Sequence, residues 1–168
     1  MRKLVFGAAL LVLASCEQSK DSQVIKEKLP VLQATLKGEG ASDKAVAFAN
    51  AYIANCNKEK SPLSVEQWVS ANKLTTTRFK TELKKMLAEA YQEDPELGLD
   101  ADPIFDAQDY PDKGFELDSF DSKTNYVVVK GKDQPDFKLT IKMVSEKNNW
   151  LVDGCGVINV PTAKRSAR

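Results

Sequence analysis

An α+β domain is the fold class this 168-residue chain predicts, with N-terminal helices packed on a curved four-stranded antiparallel sheet. Three observations predict it. Between about residues 43 and 92 apolar side chains recur at three- and four-residue steps, the period of a helix with one buried face. From Phe115 onward apolar and polar residues alternate instead, the period of a half-buried strand. The alternating stretches are parted by "DSKT", "KDQP" and "EKN", short and turn-rich, so neighbouring strands join as an antiparallel meander. Helices first and strands after them place the helices on one face of the sheet.

The first helix is expected over Asp43 to Asn57. Ala45, Phe48, Ala49, Tyr52, Ile53 and Cys56 form its apolar stripe, Ser42 is a suitable N-cap, and Asp43 suits the positive end of the helix dipole. "SVEQWVSAN" carries Ser64 and Gln67 at capping-box spacing ahead of Trp68 and Val69, and reads as a short second helix. A third spans about Thr77 to Gln92, with Phe79, Leu83, Met86, Leu87, Ala90 and Tyr91 on its apolar face. The strands read as "FELDSF", "NYVVVKG", "DFKLTIKMV" and "NWLVDGCGVINV". Phe48, Tyr52, Leu83, Leu87, Val127, Val129, Leu139, Ile141 and Trp150 are the expected core.

Ahead of the domain the chain reads as an address and a tether. Arg2 and Lys3 precede an uncharged apolar run, Leu4 to Leu13, which is too short to cross a bilayer and has the form of a secretory signal peptide. Leu13-Ala14-Ser15-Cys16 resembles the lipobox of bacterial lipoproteins. That resemblance implies cleavage after residue 15, acylation of Cys16 and anchoring to the membrane; each buried methylene of the acyl chains contributes about 0.8 kcal/mol. Glu17 after the cysteine favours an outer-membrane position facing the periplasm. The boundaries expected are therefore a signal over 1–15, a tether over 16–41, the α+β domain over 42–161 and a basic tail over 162–168. Within the tether Ile25, Leu29, Leu32 and Leu36 have helical spacing that Pro30 interrupts.

Charge and composition exclude several classes of function. Loss of Arg2 and Lys3 with the signal leaves 22 basic residues against 24 acidic ones, a formal net charge of −2. Nucleic-acid binding, which needs a concentrated basic face, is not expected. The chain has no histidine, and so lacks the commonest general base and the commonest metal ligand. With Cys16 lipidated, Cys56 and Cys155 remain as an even pair in an oxidising compartment. They are disulfide candidates, and two buried thiols are the alternative.

"DADPIFDAQDYPD", the meander and the closing "NNWLVDG" together resemble a family of small bacterial secreted proteins and lipoproteins, domain of unknown function 3828. The matching pieces are Asp102-Pro103-Ile104, Ala107-Gln108-Asp109 and Trp150 with Asp153. The resemblance implies a cone-shaped fold similar to nuclear transport factor two and an envelope setting, but no activity. "DGCG" around Cys155 departs from the family pattern.

Asp100, Asp102, Asp106, Asp109 and Asp112 invite a calcium reading, but Pro103, Ile104 and Phe105 interrupt the run and no glycine follows Asp100 until Gly114. Asp102 capping a short turn that begins at Pro103 accounts for the stretch better, with Gln108 and Asp109 bonding backbone as the chain enters the sheet. Asp109 and Asp153 could in principle form a carboxylate pair, but no nucleophile with a base is visible. Tyr110 and Trp150 complete the candidate pocket or structural motif. No catalytic residue, metal or cofactor is expected. The reading is a lipid-anchored, non-enzymatic domain that binds a partner protein or small ligand. One alternative is an envelope enzyme using carboxylate and tyrosine in the cone pocket, and another is an immunity or inhibitor protein against an envelope-targeted toxin.

Overall fold

The structure, a computed structural model, describes residues 40–166. The signal, Cys16 and nearly all of the tether lie outside the described residues. Helix α1 covers residues 40–56, α2 is Val65–Ala71 and α3 is Thr77–Glu93. Strands β1 (Phe115–Asp121), β2 (Tyr126–Gly131), β3 (Lys138–Glu146) and β4 (Asn149–Cys155) follow, and a short 3-10 turn closes the chain at Thr162–Lys164. The sheet order is β1-β2-β3-β4, antiparallel throughout, as the short turns require. The α+β class and the meander are both present.

α1 begins earlier than its sequence suggests. Residue 40 is already helical, so Ser42 lies within the helix, where it is buried, and does not cap it. Tertiary packing explains the difference. Ala41 is fully buried, and a Cβ on Gly40 would stand 3.5 Å from the Trp150 ring, so the first turn is pressed against β4. α2 has the expected box: Ser64 Oγ accepts from Gln67 N, and Gln67 Oε1 accepts from Ser64 N. Thr76 caps α3 by accepting from Phe79 N at 3.0 Å.

α3 buries Phe79 and Leu83, but Leu87 is only half-buried and Tyr91 is exposed. Tyr91 lies over Gly98, whose positive φ and missing side chain admit the ring. β4 stops at Cys155, so "VINV" does not continue the strand. Gly156 takes φ +57°, and Ile158 turns back to exchange two backbone hydrogen bonds with Cys155. Lys147 and Asn148, both at positive φ, make the two-residue turn between β3 and β4.

Large apolar side chains form the core between helices and sheet. Phe48, Phe79, Phe105 and Phe115 are fully buried, as are Val127, Val129, Ile141 and Met143 on the inner face of β2 and β3. Edge-to-face contacts join Phe48 to Trp68 at 5.3 Å and to Phe79 at 6.1 Å, tying the three helices together.

Candidate functional site

Among the described residues, several places bring polar side chains together, and three of them bear on function. The first lies where α1 meets the turn that follows Asp102. Asp102 Oδ1 accepts from Ile104 N at 2.8 Å and Phe105 N at 2.9 Å, which is the capped turn its sequence implies. Its other oxygen, Oδ2, accepts from the Tyr52 hydroxyl of α1. Cys56 lies one helical turn beyond Tyr52 and joins the same electrostatic neighbourhood. Burial raises the Asp102 pKa above the usual carboxylate range, against the hydrogen bonds that favour its charge. Burial likewise lifts the Tyr52 phenol far above its ordinary value, and the Asp102 charge adds to the effect. Cys56 is pushed up to about 11, first by burial and then by the Asp102 charge. It is therefore a neutral thiol at physiological pH and a poor nucleophile.

Aromatic rings enclose this cluster. Tyr52 lies 4.8 Å from Trp68 and 4.9 Å from Phe105, and Phe105 stacks on Tyr110 at 4.7 Å. The Tyr110 hydroxyl donates to Asn57 Oδ1 at 3.1 Å. Every polar atom of Asp102 has a structural partner. The arrangement fastens the 102–107 turn to α1.

The second place is Asp153 on β4, which is buried. It accepts from Thr76 Oγ1 at 2.9 Å and from the Arg78 guanidinium at 2.8 Å, so it joins β4 to the start of α3. Asp109, by contrast, is exposed on the loop before β1. Asp109 and Asp153 thus serve different neighbourhoods and form no acid–base pair. Gln108 Nε2 donates to the Asp100 carbonyl at 3.2 Å, which braces the loop. Trp150 is buried against Gly40 at the start of α1. Among the described residues, no three acidic or cysteine side chains gather as a metal site.

No disulfide joins Cys56 and Cys155. The glycines beside Cys155 do admit a close neighbour, but it is not α1. A Cβ on Gly156 would fall 2.3 Å from the Ile104 carbonyl oxygen, and one on Gly154 would fall 3.0 Å from backbone at Ile158 and Asn159. The 102–107 turn and the chain's own return occupy the space a helix would need. Cys155 Sγ accordingly points at the Ile104 carbonyl, 3.6 Å away.

The third place is the outer flank of α1. Two adjoining open grooves, each of about 450 Å³, run between α1 and the start of β1. Val46, Ala47 and Asn50 form the helix side, Leu117 and Glu116 the strand side, and Lys132 lies at the shared end. Asn50 is the residue whose role the sequence hides. Its Oδ1 accepts from Phe115 N at 2.7 Å and its Nδ2 donates to Phe115 O at 3.0 Å, as a neighbouring strand would do. Its only sequence signal is a polar residue beside an apolar stripe, and its partner is 65 positions away.

No family model matches the sequence, and no curated protein matches it. Among solved structures, a protein of unknown function from Bacteroides thetaiotaomicron is similar in part. It is 19% identical, covers 76% of this chain and 97% of its own, and has a TM-score of 0.46. That likeness is too slight to carry an argument.

Proposed function

We propose that this chain is a lipid-anchored bacterial envelope protein whose α+β domain is a non-enzymatic module for binding a partner protein. In this reading Cys16 carries the acyl chains, the protein lies on the outer membrane facing the periplasm, and residues 16–41 tether the domain to the bilayer. The domain is read as a member of the domain of unknown function 3828 family and as a cone of the nuclear transport factor two kind, with its interior closed by aromatic side chains.

The observation that carries the reading is the groove between α1 and β1. It combines apolar surface from Val46, Ala47 and Leu117 with the charges of Asp43 and Lys132. Leu117 is 45% exposed, unusual for a leucine on the inward side of a strand. The apolar, aromatic character of the core supports binding at this outer groove over chemistry in a cone pocket.

A catalytic reading draws on one observation, the convergence of Tyr52, Cys56 and Asp102. It is the weaker reading because Asp102 is committed to two backbone N–H groups and a phenol, and Cys56 is held protonated.

Two experiments test the proposal. Mass spectrometry of membrane-extracted protein should find acyl mass on a peptide beginning at Cys16, and Cys16→Ala should release the protein from the membrane. An unmodified Cys16 in soluble protein from the native host would refute the anchor. A photo-crosslinking residue at position 46 should capture a defined envelope protein in living cells, while the same probe at exposed Glu93 should not. Equal capture at both positions would refute the groove as the binding surface.

A further inference from the structure

The sheet order leaves β1 and β4 as edge strands, and an edge strand exposes backbone groups that other chains can pair with. On β4 the outward groups of Val152 are already used: Val152 N donates to Leu74 O at 2.7 Å and Val152 O accepts from Thr76 N at 3.0 Å. On β1 only the first position is used. Lys132 N donates to Gly114 O and Gly131 N donates to Phe137 O, so Phe115, opposite Gly131, points its own backbone groups away from β2. Asn50 takes those groups. By the alternation of an antiparallel ladder, Leu117 also points its N–H and C=O outward. No hydrogen bond from a described residue reaches them.

We propose that the open edge of β1 receives an extended, lysine-bearing segment of a partner protein, which adds to the sheet beside Leu117 as a fifth strand. The inference rests on the binding reading above and names the chemistry of the partner. Main-chain pairing supplies affinity in this mode, and alternate side chains supply specificity.

The two faces of the added strand meet different surroundings. On the inner face its side chains enter the groove, against Leu117, Val46 and Ala47, so apolar residues fit there. On the outer face two acidic residues of β1, Glu116 and Asp118, face two lysines that lie opposite each other, Lys130 on β2 and Lys138 on β3. Lys130 lies across from Glu116 and pairs with it at 3.4 Å, and Lys138 pairs with Asp118 at 2.9 Å. The acidic side chains stand on the edge strand itself, so lysine on the incoming strand lies beside opposite charge. A second copy of β1 would set Glu116 and Asp118 against their own kind, which argues against self-pairing. Asn50 blocks the strand's beginning and a bulge interrupts it between Leu117 and Ser119, so the added segment is short.

The test uses the full mature chain with two synthetic peptides, one alternating valine with lysine and one alternating valine with glutamate. The lysine peptide should slow amide exchange at Leu117 by about tenfold and shift the Val46 resonances. The glutamate peptide should do neither, and the double variant E116K/D118K should reverse the preference. Leu117→Pro removes the outward N–H at a position that gives nothing to β2, and should abolish the effect while the domain stays folded. Unchanged exchange at Leu117 with the lysine peptide, or equal effects from both peptides, overturns the proposal. So does protection that rises with protein concentration alone, since that marks pairing between copies. Capture of a partner through position 46 together with any of these results leaves the binding reading standing and removes only the added strand.

Discussion

The two edges of the sheet are finished differently. β4 is closed by the chain itself: residues 74–76 run alongside Val152, Thr75 bridges to it in parallel fashion, and Asp153 reaches across to Thr76 and Arg78. β1 is closed by one side chain, Asn50, at one position, and its next four residues are exposed. An edge closed by backbone belongs to the core and is committed to stability. An edge stopped by a single amide, with charges and a bulge beyond it, resists indiscriminate pairing and stays available to a matched partner. In small sheets, function can therefore be sought at the edge that the fold does not use.

The largest expected effect lies under the closed edge. Phe79→Ala should destabilise the domain by about 3–5 kcal/mol, because this fully buried ring packs beneath the Thr76 cap and against Phe48. Denaturant unfolding measures it. A loss below about 1 kcal/mol would mean that α3 does not anchor the β4 side.

Asn50→Ala should cost less, about 1–3 kcal/mol, since it leaves the Phe115 N–H and C=O without their partner at a partly buried site. Amide exchange at Phe115 should accelerate sharply in this variant while Val152 is unaffected. Equal acceleration at both would make the edges energetically alike and would undo the contrast.

The turn that delivers the chain to β1 sets a pH dependence. Tyr52 and Cys56 have raised pKa values in the folded state, so the folded state holds protons that the unfolded state releases. Their contribution is full below the ordinary cysteine value of about 9 and is lost as pH climbs through about 11 for Cys56, with Tyr52 continuing the loss above it. Chemical denaturation between neutral pH and pH 11 should show stability falling, and Tyr52→Phe should flatten part of the slope. An identical slope in Tyr52→Phe would show that the phenol does not couple to folding.

Leu117→Asp should change stability least, within roughly 0.5 kcal/mol, because the side chain is already 45% exposed. It should nevertheless remove partner capture at position 46. A large loss of stability would instead place Leu117 among the core residues.

Much of the fold is legible in the sequence, because period and turn chemistry are local. The capping box at Ser64 and Gln67, the apolar stripe of α1 and the alternation in β2 and β3 are all present in the structure. The misreadings occur where distant chain intervenes. Ser42 fails as a cap because Trp150 draws helix into residues 40 and 41. "VINV" fails as strand because Gly156 bends the chain around the backbone at Pro103 and Ile104. The same bend defeats the expected approach of α1 to Cys155. Asp102 was visible as a cap, but Tyr52 as its second partner was not, since nothing in helical spacing says what a buried hydroxyl will face.

By itself, the sequence determined which segments are helix and strand, their antiparallel order, and which faces are apolar. Those properties follow from backbone period and turn residues, which act over a few positions. Only the tertiary structure decided that Asn50 completes β1, that Tyr52 meets Asp102, and that β4's edge is closed while β1's is open. These pairings join residues 50 or more positions apart in the chain. Hydrogen-bond partners at such separations are selected by how the packed layers bring groups within about 3 Å, a geometry that no local pattern encodes.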